Sequence, residues 1–110
     1  GIGRGVAEAY LREGASVLIC GRNEINLKSA CNELSGAGDI DYIVADIANK
    51  DEAAHLAVAT TQRWKSLDVL VNNASILGVR APIIESPEDI WDEVIQINLN
   101  AQFYVTKAIL

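Results

Sequence analysis

Methionine is missing from the 110 residues, histidine and phenylalanine occur once each, cysteine occurs twice, and aromatics make up only 5%. Without a methionine the chain does not open at an ordinary start, so its first residue is expected to be internal to a longer protein. The last residues, VTKAIL, read as helix with no Gly, Asn or Pro to stop it, and that end is also expected to be a cut. No apolar run approaches the ~20 residues that a bilayer span needs, which excludes a membrane helix. Basic residues are the minority sign, 9 Lys and Arg against 15 Asp and Glu. A net charge of -6 argues against a general nucleic-acid or anionic-membrane surface, so local donors must hold any anionic ligand. Cys20 and Cys31 form no CxxC and pair with no histidine. They are expected to be reduced packing residues in a cytoplasmic protein, with no metal centre. His55, among alanines on a helical stretch, reads as a solvated or packing side chain.

What is present is globular in composition: half the residues are hydrophobic and 22% are charged. Val6, Ala7, Tyr10 and Leu11 recur at helical spacing over residues 4–13, and Gly14 stands where a left-handed cap is wanted. SVLIC, residues 16–20, is a short β-branched run expected to be a strand buried on both faces. Asn23 can cap a second helix carrying Leu27, Ala30, Cys31 and Leu34, ended by Gly36. IDYIVA, residues 40–45, predicts another strand. Asn49 followed by Glu52 predicts a capping box for a helix to about Trp64, with Ala53, Leu56, Ala57 and Trp64 inward. LDVLVNN, residues 67–73, predicts a third strand. SPED then predicts a helix with Ser86 as N-cap, Pro87 first in the helix and Asp89 returning. Strict alternation of this kind means one α/β domain over residues 1–110, a doubly wound parallel sheet with helices on both sides.

Gly1, Gly3 and Gly5 before a helix suit a dinucleotide turn, where glycine lets backbone approach a pyrophosphate and the helix N-terminus supplies donors. Taken alone, they are equally a glycine-rich loop. CGRN ends the next strand at the position that faces the adenosine ribose. There a carboxylate selects NAD and an Arg accommodates the 2'-phosphate of NADP. The chain has Gly21 and Arg22, and no carboxylate until Glu24, which favours NADP over a merely solvated Arg. Asp46 is placed either for a ligand or for a turn. Asn98 projects from the apolar side of its helix, where an unbonded amide costs roughly 1 to 3 kcal/mol, so a partner must satisfy it.

GIGRG, CGRN, ADIA, LDVLVNNAS and INLN, in that order and at those spacings, resemble the short-chain dehydrogenase/reductase family along the whole chain. The resemblance implies a Rossmann-type sheet whose first strand and C-terminal strands lie outside these residues. The family's glycine turn reads T-G-x-x-x-G-I-G, so Gly1, Ile2 and Gly3 match its end. By the same carry-over Arg22 matches the basic NADP selector, and Asp46 and Ile47 match the acidic and apolar pair beside the adenine. Asn72, Asn73 and Ala74 match the N-N-A-G strand end that shapes the cofactor pocket, with Ser75 replacing the usual glycine. Asn98 matches the residue that kinks its helix and holds a water of the proton relay.

The family's chemistry is acid-base catalysis by a Tyr whose phenol is made more acidic by a Lys four residues on, with a Ser orienting the carbonyl. Tyr104 and Lys107 are one residue too close and are rejected, and neither Tyr10 nor Tyr42 has a Lys at the required spacing. The expected function is hydride transfer between the nicotinamide of NADP, less readily NAD, and a small carbonyl or secondary alcohol. The complete protein would be a homo-oligomer, and these 110 residues alone would be inactive. The alternatives are a noncatalytic dinucleotide-binding sensor or scaffold, and a truncated product without function.

Overall fold

The computed structural model describes residues 1–110, which divide into two compact units, Gly1–Asp46 and Ile47–Leu110. The first unit runs α1 (Ile2–Arg12), β1 (Val17–Gly21), α2 (Glu24–Leu34) and β2 (Ile40–Val44). Each boundary follows from local chemistry. Gly14 sits at φ +88°, where a side chain would be strained, and turns the chain out of α1. Asn23 is the N-cap of α2, its side-chain oxygen accepting from the Asn26 amide at 3.0 Å. A single 3-10 turn, Ser35–Ala37, carries the chain past Gly36.

The strands β1 and β2 are parallel, in register from Val17 opposite Ile40 to Gly21 opposite Val44. Two further backbone bonds, Val17 to Asp39 and Ala45 to Gly21, both 2.9 Å, extend the pairing at its two ends. Ala7 and Leu11 of α1 and Leu34 of α2 form the buried cluster, with Val17, Ile19, Ala37 and Ile40 against it. Only one face of β1 is used in this way, because side chains alternate across a strand. The expectation of a strand buried on both faces is therefore corrected: Cys20, on the other face, is exposed and carries a free thiol. Tyr10, expected on the inner stripe of α1, is also exposed.

The second unit is helical: α3 (Lys50–Arg63), α4 (Glu88–Ile95) and α5 (Ala101–Ile109), with a π turn, Gln96–Asn100, joining the last two. Asn49 caps α3 as expected, its Oδ1 accepting from the amides of Asp51 at 2.9 Å and Glu52 at 3.3 Å. Ala53, Leu56, Ala57 and Thr60 are the buried face of α3, and α3 packs against α5, whose Ala101 and Val105 are buried. Alanines on both helices let the backbones approach closely. No helix is long and apolar enough to cross a membrane.

Two expectations fail in this unit. Residues 67–73 form no strand, and Val69 and Val71 are exposed. A strand exists through a neighbour's hydrogen bonds, and the only ladder formed joins β1 to β2. Ser86 is not the cap of α4: Pro87 takes that place with no side-chain bond, while the Ser86 hydroxyl donates to the Pro82 carbonyl at 3.4 Å. That contact spans the short 3-10 turn Ile83–Glu85, a local alternative that competes with capping.

Candidate functional site

In the first unit an 11-residue helix of about 16 Å and a five-residue strand of about 17 Å lie along one another, joined by a four-residue turn. Hence α1 starts level with the carboxyl end of β1. Gly1 is the N-cap of α1 and contributes no side-chain bond, and the first turn holds no acidic residue. The free amides at this end, with the helix dipole behind them, suit an anion. A Cβ at Gly1 or Gly5 would meet nothing within 4 Å, so internal packing does not demand glycine there. Open backbone is instead what close approach by a ligand requires.

Arg22 follows β1 directly and is exposed. It takes no part in the unit's ion pairs, which join Arg4 to Glu33, Arg12 to Glu8 and Lys28 to Glu24. Asp46 follows the end of β2, half-buried, after the buried Ala45. Gly1, Ile2 and Gly3, then Arg22, then Asp46 are thus brought to the carboxyl edge of a parallel strand pair. Ligands of open α/β sheets bind at that edge.

The second unit contains Ile47, Asn72, Asn73, Ala74, Ser75 and Asn98. Ile47 is half-buried, and 72–75 are exposed. The Asn72 amide donates to the Thr106 hydroxyl at 3.2 Å. Asn98 lies at the centre of the π turn, whose i to i+5 bond runs from the Ala101 amide to the Gln96 carbonyl. Its part-buried side chain finds both partners on one residue: Oδ1 accepts from the Ile76 amide at 2.9 Å and Nδ2 donates to the Ile76 carbonyl at 2.8 Å. The π turn and the loop after Ser75 are thereby fastened together one residue beyond the Asn-Asn-Ala-Ser stretch.

Tyr104 and Lys107 do not pair. Lys50 Nζ lies over the Tyr104 ring at 5.1 Å, and Lys107 Nζ over Phe103 at 5.7 Å. The Tyr42 phenol is pushed up by burial and then by donation to the Glu24 carboxylate at 3.1 Å. An open depression of about 380 Å³, lined by Ile83, Ser86, Glu88, Trp91 and Asp92, contains none of the candidate residues.

Sequence reasoning missed Gln96. Its Nε2 donates to the Ala48 carbonyl and its Oε1 accepts from Asn100 Nδ2, both at 2.8 Å. The available signal was QINLN itself, three amides at alternate positions, with Ile97 and Leu99 between them.

Comparison with known proteins gives one answer. The family model described as short chain dehydrogenase matches residues 1–110. The short chain dehydrogenase/reductase dpmpG of Macrophomina phaseolina is 42% identical over 112 residues, covering 100% of this chain and 64% of the relative. Among solved structures, an actinorhodin polyketide ketoreductase with NADPH superposes with a TM-score of 0.95 at 35% identity, covering 100% of this chain and 42% of that one. The RhlG/NADP active-site complex of Pseudomonas aeruginosa gives 0.93 at 33% identity, covering 99% and 42%. The chain spans less than two thirds of each.

Proposed function

Because the chain belongs to the short-chain dehydrogenase family, we propose that it forms the cofactor-binding part of an NADP-preferring oxidoreductase acting on a carbonyl or secondary alcohol. Its α/β architecture is the Rossmann-like fold of that family, present in part. The feature that supports the proposal is the carboxyl edge of the strand pair in the first unit: Arg22 follows β1, Asp46 follows β2, and α1 begins without a side-chain cap. These residues fit a dinucleotide, since open backbone amides suit a pyrophosphate and a free guanidinium suits a 2'-phosphate.

The roles follow from the donors. The α1 amides at Gly1, Ile2 and Gly3 hold the pyrophosphate. Arg22 forks onto the 2'-phosphate, and no carboxylate follows β1 before Glu24 to oppose it. Asp46 and Ile47 border the adenine, one by accepting hydrogen bonds and the other by apolar contact. Asn73, Ala74 and Ser75 offer the cofactor small and polar groups. Asn98 holds the helix kink and positions a water for proton relay. When bound, the nicotinamide supplies or accepts the hydride. The Tyr-x-x-x-Lys spacing occurs nowhere in residues 1–110, so these residues alone leave the substrate oxygen without its proton donor and do not catalyse the reaction. Exposed Trp91, Leu99 and Phe103 on α4, the π turn and α5 support a homo-oligomer.

The test is cofactor discrimination in the intact protein. NADPH is expected to bind more tightly than NADH, and Arg22→Asp to reduce NADPH affinity about 10- to 100-fold while sparing NADH, the size of a lost charged hydrogen bond. Equal affinities in the unaltered protein would sink the NADP preference. Carbonyl reduction by the isolated 110 residues would sink the assignment of catalysis to groups outside them.

A further inference from the structure

We propose that Gln96 is a positioning residue for the adenosine half of the cofactor, a role that rests on the dinucleotide-binding reading above. The loop from Ala45 to Asn49 carries Asp46 and Ile47, the pair expected to border the adenine. Its start is fixed by the Ala45 amide bonding Gly21. Its end is fixed by Asn49 capping α3. Between them the Ala48 carbonyl accepts from Gln96 Nε2, a side chain 48 residues away.

The direction of the Gln96 amide is set by its own neighbour. Asn100 Nδ2 donates to Gln96 Oε1, which leaves Nε2 for the Ala48 carbonyl. Turning the amide over would face two acceptors across one contact and two donors across the other. Residues i and i+4 share one face of a helical turn while i+2 points to the opposite side, which sets Gln96 and Asn100 together and Asn98 away from them. Gln96 and Asn100 thus serve the adenosine loop, while Asn98, between them, holds Ile76. One turn of helix fastens two loops, the first expected at the adenine and the second just beyond the Asn-Asn-Ala-Ser stretch.

The experiment separates the two halves of the cofactor in the intact protein, using adenosine 2',5'-bisphosphate for one and reduced nicotinamide mononucleotide for the other. Gln96→Leu is expected to weaken binding of the adenosine probe about 10-fold and of the nicotinamide probe less than about twofold. Asn100→Ala, which only releases the Gln96 amide, is expected to act in the same direction at about threefold, and it decides the matter if Gln96→Leu does not fold. A merely structural role moves both probes together, and that outcome overturns the proposal, as does unchanged adenosine binding in the variants. An unaltered protein that binds neither NADPH nor the adenosine probe overturns the dinucleotide reading itself, and the proposal with it.

Discussion

The two units satisfy their backbones by different means. In Gly1–Asp46 a parallel ladder pairs β1 with β2, and an apolar cluster of Ala7, Leu11 and Leu34 lies against them. In Ile47–Leu110 there is no ladder, and irregular segments are tied by side-chain amides: Asn49 to the start of α3, Gln96 to Ala48, Asn98 to Ile76. Asn98 is instructive because it meets both the N-H and the C=O of one residue. A carboxamide carries the same donor and acceptor as a peptide group, so it can stand in for one residue of a strand neighbour. Apolar truncation should therefore be most damaging in the first unit, and loss of an amide in the second.

The largest effect is expected from Leu11→Ala. Leu11 is 2% exposed and touches elements on both sides of the Gly14 turn, so removing it leaves a cavity that costs about 3 kcal/mol. Chemical denaturation of the intact protein measures this; a loss under about 1 kcal/mol would mean that the cluster is not what holds the unit. Next comes Asn98→Leu, similar in volume but unable to bond. It strands both polar groups of Ile76 and is expected to cost about 2 kcal/mol, with catalysis falling more than stability alone explains. Were Asn98→Leu to prove the more stable protein, the picture of a unit held by amides would be wrong.

These residues also show where sequence was sufficient. Gly14, Asn23 and Asn49 act on amides within a few positions of themselves, so their meaning is written locally. The segment 67–73 has the composition of a strand, but a ladder needs a neighbour far along the chain, and composition cannot supply one. Asn98 lies between these cases. Its apolar surroundings demanded a partner, and its resemblance to the family's Asn pointed to a kink, yet Ile76 is 22 residues away and only the fold names it. Gln96 was overlooked because its decisive partner is nonlocal: the Ala48 carbonyl is 48 residues away, and the contact with Asn100, four residues on, gains its meaning only from that carbonyl.

The helix caps offer a closer comparison, because each unit has one asparagine in the same role. Asn49 accepts from two amides and Asn23 from one. Alanine at position 49 is expected to cost about 1 kcal/mol, and at 23 somewhat less. Glycine at either site should recover most of the loss, since it keeps the backbone's freedom at the cap. Hydrogen exchange at Asp51 and Asn26 reads each cap directly. Equal effects at both sites would show that the second amide bond at Asn49 adds nothing.

The smallest effect is expected where the first unit does use side chains between elements. Arg4 on α1 pairs with Glu33 on α2, and Ser29 also donates to Glu33, at 3.2 Å. The hydrogen bond from Arg4, then that from Ser29, then the charge of Arg4 hold the Glu33 carboxyl below its ordinary value. A lowered carboxylate pKa stabilises the fold above the unfolded value of about 4.3, and the contribution is lost as pH falls through the lower folded value. Both side chains are substantially exposed, so solvent and salt screen the pair and little remains for stability. Arg4→Ala should therefore be nearly silent at neutral pH. Whatever difference it shows should shrink in about 1 M salt, where screening reaches a few ångströms, and vanish once acid protonates Glu33. A large, salt-resistant loss on removing Arg4 would mean that the ion pair, and not the cluster around Leu11, joins α1 to α2.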